Sequence, residues 1–546
     1  MNKKKIITIL SSLVMSTGML NIIVSADQSN SEVVLTSNNA SYASLPNSVD
    51  LSTSPCFPPI ENQGKIGSCA SYATAYYQYS YEVNKLNNVS STSERKLYSP
   101  NWAYSLANNG MNEGSNIVDN YRVLQALGCV TTDVLPISEN YQVWPRYNEE
   151  AKVEALKTRL ENYDYLDIPS KQNISSPSNL ISNNFTLSAV KQMLNEGKVL
   201  AVSTKGFFNS ASVNGDCVAY RCYEGAKDKR HALAIVGYNN YISYDVNGNG
   251  TIESCERGAF KVANSWGEKF NQNGIFSDDG YFWIMYDALN LSSTNTYTDW
   301  ESNLESTRYP AFSYSLDPND GNTFYYINVE HKNVELIGEV KVRTMKKYRL
   351  DLYSCRTTQD RTLFDYPNQL QLFPYIGGTD RPSFYEGLIL CDLTELTVGI
   401  PTYYQGYNWH MKLSNFIPSE ESNYARFRLL DGNGNVISDY EADDSEQAMS
   451  ARKYKTLNLN KGDLNYDGSV TVKDADIIMD YLAENVSLSS LQYKLADVNN
   501  DGTVNIFDVI EINSSIPAPT NADDTYALNR LNKKIQQYCN ENNINL

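Results

Sequence analysis

The sequence is poor in the residues that would cross-link a fold, bind polyanions or span a membrane. Nine cysteines in 546 residues are too few for a disulfide scaffold. Lysine and arginine number 45 against 63 aspartates and glutamates, which gives a net charge of −18. This charge argues against nucleic acid and anionic membrane surfaces as partners. Beyond the N-terminus no apolar run is long enough to cross a bilayer, so we predict no membrane span.

Histidine is scarce as well, and only one of the three histidines lies in a motif. His231 begins the run HALAIVGY, whereas His331 and His410 have no motif around them. We interpret those two as ordinary surface or core residues. Among the cysteines, Cys217 and Cys222 are the most local pair that could form a disulfide, although spacing alone cannot assign a partner.

The first 26 residues predict export. Three lysines at positions 3–5 precede an apolar run from Ile6 to Val24, and Val-Ser-Ala follows at 24–26. A basic start, a short apolar stretch and small residues at the cleavage point are typical of a secretory signal peptide. A membrane anchor is disfavoured because polar residues interrupt the run. We therefore predict a secreted, extracellular protein with a short N-terminal segment at 27–44.

Three separate segments carry a thiol, an imidazole and a carboxamide, in that order. The thiol of Cys69 ends the stretch QGKIGSC, His231 opens the second segment, and Asn264 lies in ANSWG. A cysteine nucleophile needs a base to form its thiolate, and a carboxamide can orient that base. A helix predicted over 70–77 would also favour the thiolate through its N-terminal dipole. Each residue alone has a structural alternative, but together they predict a catalytic centre.

These segments resemble the papain family of cysteine peptidases, over roughly residues 45–290. The resemblance implies an α+β fold with two lobes, one helical and one β-barrel-like, in a peptidase domain at 45–295. It implies that Gln63, six positions before Cys69, forms an oxyanion hole with the Cys69 backbone N–H. It also implies that Asn264 orients His231 and that Trp266 shields their hydrogen bond.

The resemblance extends to a strip that faces substrate. Gly114 and Ser115 are similar to the family's glycine-rich strip, so we predict that they and Trp266 bind substrate. Two positions depart from the family: Ala70 replaces an aromatic residue, and Ile66 replaces a disulfide cysteine. The His and Asn also lie further from Cys69 than the about 130–150 residues usual in the family, which predicts insertions. The segment before residue 45 is too short for the family's inhibitory propeptide, so we expect none.

A second motif occurs twice near the C-terminus. Each copy is a twelve-residue loop with oxygen ligands at positions 1, 3, 5 and 12, glycine at position 6 and a carbonyl at position 7, a pattern that binds calcium. The predicted ligands are Asp463, Asn465, Asp467, Ser469 and Asp474 in the first copy, and Asp497, Asn499, Asp501, Thr503 and Asp508 in the second. A helix-like stretch follows each loop.

This duplicated loop and helix resembles a dockerin, a small all-α calcium-binding module that docks on a cohesin domain of a scaffold protein. We place it at 457–516 and expect it to hold two Ca²⁺ ions. Positions 10 and 11 of each copy are the candidate cohesin contacts, namely Val472, Lys473, Ile506 and Phe507. Because these residues differ between the copies, we expect one face to bind cohesin better than the other.

A third loop of this kind lies between His231 and Asn264. Its candidate ligands follow the same spacing and are Asp245, Asn247, Asn249, Thr251 and Glu256. A hairpin tip rich in glycine and asparagine would look similar, so this loop has a simple structural alternative. A turn does not need the glutamate at position 12, which favours a third Ca²⁺ site.

The remaining segments match neither module. Residues 308–454 contain β-branched and aromatic runs, including Thr323–Val329 and Phe427–Ile437, and predict a β-sandwich-like accessory domain. Its aromatic residues could line a ligand groove, but core packing is the favoured reading for Tyr375, Phe384, Tyr403, Tyr404 and Trp409. Residues 517–546 form a linker and a C-terminal helix that we expect to dock on a neighbouring element.

Taken together, the motifs predict a secreted cysteine endopeptidase that cleaves proteins or peptides and is anchored to a scaffold by its dockerin. No cofactor is expected for catalysis. The main alternative is a papain-like fold without activity that serves as a binding or inhibitor-sensing module. A transglutaminase-type acyl transferase is a remoter alternative, since it would prefer Asp at position 264.

Overall fold

The structure is a computed structural model. It describes residues 45–108, 112–141, 149–167, 187–205, 208–222, 230–246, 248–253, 256–286, 288, 323–344, 350–357, 369–375, 385–398, 407–415, 422–441, 452–457 and 459–545. The predicted signal peptide and the segment 27–44 lie outside these residues. Within the described ranges, no helix has the length and apolar character that a membrane crossing requires.

A tyrosine-rich helix leads the helical part of the N-terminal half. It begins as α1 (Cys69–Ser71), becomes π-helical over Tyr72–Tyr79 and ends as α2 (Ser80–Leu86). The other helices here are α3 (Pro100–Ala107), α4 (Ile117–Leu127), α5 (Glu149–Leu156) and α6 (187–195). The sequence predicted one helical segment after Cys69, and the π-helical stretch within it was not foreseen.

A nine-stranded sheet packs with these helices, and its strands lie between residues 48 and 331. Its strands are β1 (Ser48–Asp50), β2 (Thr158–Asp167), β3 (Leu200–Lys205), β4 (Phe208–Val213), β5 (Asp216–Cys222), β6 (Arg230–Ser243), β7 (Arg257–Ala263), β10 (Tyr281–Met285) and β11 (Thr323–His331). The order is β2-β11-β3-β6-β7-β10-β5-β4, and β1 also pairs with β6. A separate hairpin joins β8 (Phe270–Gln272) and β9 (Ile275–Ser277). Cys217 in β5 is a free thiol, so the disulfide considered with Cys222 does not form here.

Strand β11 departs from the sequence expectation. The run Thr323–Val329 was assigned to the accessory domain, but β11 pairs antiparallel with β2 along its length and with β3 at Phe324 and Tyr325. Phe324 and Ile327 are fully buried in this position. An alternating apolar run predicts a strand without naming its partner, because pairing depends on contacts that are distant in sequence.

Two further sheets follow, each with four antiparallel strands. The first has the order β15-β12-β17-β18 and the second β14-β13-β16-β19. Their bounds are β12 (Leu336–Thr344), β13 (Leu350–Thr357), β14 (Gln369–Tyr375), β15 (Tyr385–Asp392), β16 (Tyr407–Asn415), β17 (Ser422–Asp431), β18 (Val436–Glu441) and β19 (Arg452–Leu457). Trp409 of β16 is completely buried, in agreement with core packing. The other four aromatic residues singled out above lie outside the described side chains.

Four helices close the chain. They are α7 (Val472–Leu482), α8 (Ser490–Ala496), α9 (Ile506–Ser515) and α10 (Ala522–Glu541). Capping boxes begin α7, with Thr471 and Asp474, and α9, with Asn505 and Asp508. The C-terminal helix α10 packs on α7 and α9, and its residues Leu531, Ile535 and Cys539 are buried there. The neighbour on which this helix docks is therefore the preceding helical module.

The helical module rests on the first accessory sheet. Asp431, at the end of β17, is fully buried and accepts hydrogen bonds from the hydroxyls of Tyr466 (2.9 Å) and Ser489 (2.8 Å). Leu491 and Leu495 of α8 are buried beside Leu429 of the same strand. A polar centre surrounded by apolar contacts therefore joins the two parts.

Candidate active site

Cys69 stands at the point where the tyrosine-rich helix begins. The turn before it is tight, because a side chain on Gly67 would come within 2.9 Å of the Gly114 backbone nitrogen. The helix start packs against β6, and the Cys69 thiol contacts the backbone N–H of Ala232, the residue after His231. The thiol predicted as the nucleophile therefore lies beside the residue that follows the predicted base in the chain.

His231 and Asn264 are directly hydrogen bonded. His231 Nε2 lies 2.7 Å from Asn264 Oδ1, and both residues are buried. A carbonyl oxygen only accepts hydrogen bonds, so Nε2 carries the proton and Nδ1 is left free to accept one. Trp266 stacks on the imidazole with ring centroids 4.6 Å apart, which covers this hydrogen bond from one side. Asn264 Oδ1 also accepts the Ser265 backbone N–H at 2.9 Å.

Gln63 lies in a segment that runs beside Asn264. The Gln63 backbone N–H donates to the Ser265 carbonyl (2.8 Å), and the Ser265 hydroxyl donates to Gln63 Oε1 (2.5 Å). Gln63 Nε2 donates to the Ile66 carbonyl at 2.8 Å. An amide nitrogen carries two protons, so one N–H of Gln63 is left for a further acceptor. The side chain predicted for the oxyanion hole is thus held in one orientation.

The strip predicted to face substrate lies next to the nucleophile turn. Gly114 has a φ of +99°, a conformation that favours glycine, and it approaches Gly67 closely. The Ser115 hydroxyl accepts from Asn120 Nδ2 at 2.9 Å, while Asn120 Oδ1 accepts from Ser71 in α1 at 2.6 Å. Asn120 was not predicted, and nothing in its local sequence distinguishes it from other polar helix residues.

Burial opposes charge on both reacting groups. It raises the pKa of the Cys69 thiol, an effect that the neighbouring backbone N–H of Ala232 partly offsets. It lowers the pKa of His231 to about 4, although the hydrogen bond to Asn264 acts in the opposite direction. Each group alone is therefore neutral in a resting site near neutral pH.

The two C-terminal loops share one set of hydrogen bonds. In each loop the aspartate at position 12 accepts hydrogen bonds from the backbone N–H groups at positions 2 and 9. In the first loop Leu464 and Thr471 donate to Asp474. In the second loop Val498 and Asn505 donate to Asp508. Gly468 and Gly502 at position 6 donate to the position 1 aspartates and have a φ of +88°. Asp463 Oδ1 is buried and lacks a hydrogen-bond partner among the described residues. An unpaired buried carboxylate oxygen among hard oxygen donors fits a calcium ion.

The loop between β6 and β7 has the same arrangement. Glu256 accepts the backbone N–H groups of Val246 (2.8 Å) and Glu253 (3.0 Å), which are positions 2 and 9. Gly250 at position 6 donates to Asp245 at 2.7 Å and has a φ of +81°. Asn247 lies outside the described residues, so the structure describes four of the five predicted ligands of this loop.

The candidate cohesin contacts differ in their exposure. Phe507 is 53% exposed, whereas Ile506 beside it is 2% exposed. Ile506 packs in the core of the C-terminal helices, so its side chain is not available for the contact predicted from its position. Lys473 is exposed and Val472 is half-buried in the first copy.

Comparisons with known proteins match two segments of the chain. Residues 45–294 match the papain family cysteine proteases, and residues 461–516 match the dockerin type I domain. No curated protein matches the chain. Among solved structures, xylellain, a cysteine protease from Xylella fastidiosa, is similar at 18% identity over 54% of this chain and 90% of that chain, with a TM-score of 0.33.

Two other similar structures are eukaryotic. The digestive procathepsin L2 proteinase of Tenebrio molitor larval midgut is 17% identical over 53% of this chain and 69% of its own, with a TM-score of 0.34. The bromelain protease from Ananas comosus is 11% identical over 52% of this chain and 100% of its own, with a TM-score of 0.32. Both family matches fall on the segments in which the motifs lie.

The neutral imidazole predicts a dependence of stability on pH. In a Cys69→Ala variant His231 titrates alone, with a pKa of about 4 when folded, below the value of about 6.5 that is ordinary for histidine. Between pH 6.5 and pH 4 the His231 imidazole is therefore protonated in the unfolded chain but neutral in the folded one. The free energy of unfolding should consequently fall by about 3 kcal/mol as the pH drops through this range. Urea unfolding at a series of pH values measures this change. The Cys69→Ala/His231→Gln double variant is the control, and equal pH profiles of the two variants would contradict a buried neutral imidazole.

Proposed function

We propose that this cysteine peptidase is a secreted endopeptidase anchored to a scaffold protein. The premise is that residues 45–294 belong to the papain family of cysteine proteases and residues 461–516 to the type I dockerin domains. Cys69 and His231 would carry the reaction, with Asn264 and Gln63 in support. The observation that carries this proposal is the 2.7 Å contact of His231 Nε2 with Asn264 Oδ1, which leaves Nδ1 as the base beside the nucleophile turn.

The reaction follows from these positions. Cys69 Sγ transfers its proton to His231 Nδ1, and the thiolate attacks the peptide carbonyl carbon. The tetrahedral oxyanion accepts hydrogen bonds from the Cys69 backbone N–H and the remaining Gln63 N–H. The imidazolium then protonates the leaving amine as the C–N bond breaks, and an acyl-enzyme thioester remains. Water, deprotonated by His231, attacks the thioester, the C–S bond breaks, and the sulfur recovers its proton.

Thiol labelling tests this assignment. An epoxide-type inactivator of cysteine proteases should label the wild type rapidly at neutral pH, because the thiolate is the reactive form. Cys69→Ala should abolish the labelling, and His231→Ala should slow it by about 10²–10⁴-fold. Asn264→Ala should slow it less, since the base remains. Mass spectrometry of the modified protein gives the rates.

His331→Ala is the matched control, because this histidine lies on β11 and contacts Thr158 rather than the site. It should label like the wild type. Labelling of the wild type no faster than a free thiol would contradict the proposal and favour a papain-fold binding module without activity. Amine incorporation in place of hydrolysis would instead indicate an acyl transferase.

The dockerin match implies a cohesin partner and calcium. We assign one Ca²⁺ to each C-terminal loop, held by the ten residues named above, of which Ser469 and Thr503 at position 7 would contribute their backbone carbonyls. The ion would stabilise the loop by neutralising carboxylates that otherwise repel each other. Extracellular location follows from this partner class and from the signal peptide predicted at 1–26.

Phe507 is the candidate anchor for cohesin. An exposed aromatic side chain at an interface typically contributes more than an exposed lysine, so Phe507→Ala should weaken cohesin binding by about 1–2 kcal/mol more than Lys473→Ala. Calorimetric titration with a type I cohesin domain in calcium measures both variants. Equal losses would contradict the expected difference between the two copies.

A third Ca²⁺ in the β6–β7 loop belongs to the same proposal. Its hydrogen bonds at positions 2, 6, 9 and 12 repeat those of the two C-terminal loops, which supports the same ligand. The loop connects β6, whose second residue is His231, with β7, which ends directly before Asn264. An ion here would brace the connection between the base and the residue that orients it.

Calcium stoichiometry tests the third site. The full chain should bind three ions by equilibrium dialysis, and Asp245→Asn should remove one of them. Asp497→Asn in the C-terminal module should also remove one Ca²⁺ ion, and it serves as the reference for the loss of a single site. Two ions in the wild type, with no change in Asp245→Asn, would show that the loop is only a hairpin tip.

A further inference from the structure

The hydroxyl of Tyr77 lies behind the catalytic centre and is completely buried. It donates a hydrogen bond to the Asn264 backbone carbonyl at 2.7 Å, and the backbone N–H of Glu61 donates to it at 3.4 Å. Glu61 lies two residues before Gln63, in the segment that carries the predicted oxyanion side chain. One hydroxyl therefore connects the segments of Gln63 and Asn264 to the helix of Cys69.

A second tyrosine of the same helix makes a parallel contact. The Tyr72 hydroxyl donates to the Asn62 carbonyl at 3.1 Å, directly before Gln63. In an α-helix, residues five positions apart point roughly 140° away from each other. Between Tyr72 and Tyr77 the helix is π-helical, with i→i+5 hydrogen bonds, so residues five apart come to the same side. The π-helical stretch is what allows both hydroxyls to reach the site.

The connection matters because Asn264 is the only described side chain that orients His231 by a hydrogen bond. Its side chain bonds the imidazole, its backbone N–H donates to the Gly280 carbonyl at 3.1 Å, and its backbone carbonyl accepts from Tyr77. The Asn264 Nδ2 group has no partner among the described residues. The amide is thus held at Oδ1 by the imidazole and the Ser265 backbone N–H, and the Asn264 backbone is held by two contacts, of which Tyr77 supplies one.

We propose that Tyr77 is a positioning residue of the peptidase, holding the Asn264 backbone so that its side chain keeps His231 in the reactive orientation. This inference rests on the proposed function, since it requires catalysis by Cys69 and His231. Tyr77 acts through Asn264 and does not touch the reacting atoms. Its phenol ring stacks on Phe57 with centroids 5.6 Å apart and planes 3° apart, so Tyr77→Phe removes the hydroxyl and keeps the packing.

Tyr79→Phe is the matched control. Tyr79 is equally buried in the same π-helical stretch, and its hydroxyl also donates to a backbone carbonyl, that of Thr158, at 2.7 Å. That carbonyl belongs to β2 and makes no contact with the catalytic residues. Each variant loses one tyrosine–carbonyl hydrogen bond, and Tyr77→Phe also loses the longer contact with the Glu61 N–H, so both should lower the melting temperature, Tyr77→Phe somewhat more.

Kinetics should separate the two variants. For Tyr77→Phe we expect kcat for a peptide substrate and the rate of epoxide labelling to fall about tenfold, with KM changed less than about twofold. The alkaline limb of the labelling profile should move to lower pH, because a less well oriented Asn264 stabilises the imidazolium less. Tyr79→Phe should keep the rates and the pH profile of the wild type. Tyr72→Phe should lower kcat through Gln63 and leave the pH profile in place.

The results for these variants distinguish the positioning role of Tyr77 from the proposed function. Equal rates and pH profiles for Tyr77→Phe and Tyr79→Phe would overturn the positioning role while the proposed function stands. A Tyr77→Phe chain that does not fold, judged by near-ultraviolet circular dichroism, would make the hydroxyl structural and also overturn the role. If wild type and Cys69→Ala label equally slowly, the proposed function itself fails, and the positioning role fails with it for that separate reason.

Discussion

The antiparallel pairing of β6 with β7 is the constraint on which the site depends. His231 is the second residue of β6, and Asn264 directly follows the last residue of β7. The register places Ala234 opposite Ala263, so the open end of this strand pair brings imidazole and carboxamide together. β6 also pairs with β1 at Gly237, where a Cβ atom would come within 2.3 Å of the Val49 carbonyl oxygen. A shift of one residue would turn His231 to the other face of the sheet.

The helical lobe meets this strand pair through polar contacts to the backbone. The Gln63 segment runs beside residues 264–267 with an isolated bridge between Asn62 and Trp266. The Tyr77 hydroxyl closes the same junction from the helix side. The contact of Tyr77 is buried, where a lost partner leaves an acceptor unsatisfied at a cost of about 1–3 kcal/mol. The junction thus combines a half-exposed backbone pairing with one buried hydrogen bond.

Motifs that need particular residue types in a fixed order or spacing were predictable from the sequence, whereas contacts without such a motif were not. The order of Cys69, His231 and Asn264 and the spacing of the duplicated loops each require particular residue types at fixed positions, so their chemistry is visible along the chain. The partner of β11 and the burial of Ile506 depend on packing against distant elements. The π-helical stretch has no local signal, because its tyrosines fit an ordinary helix equally well and gain their hydrogen bonds only from the folded site.

Strand β17 shows how the two family segments are joined. Arg428 on this strand donates to Glu149 of α5 at 2.8 Å and to the buried Glu339 at 2.7 Å, which ties the accessory sheet to the peptidase segment. Three residues later, Asp431 accepts the hydroxyl of Tyr466, which is position 4 of the first calcium loop. Tyr466 has a φ of +61°, a conformation that the loop imposes on a residue other than glycine. The loop that holds this backbone thus supplies one of the two hydroxyls, the other being that of Ser489, through which the helical module contacts Asp431.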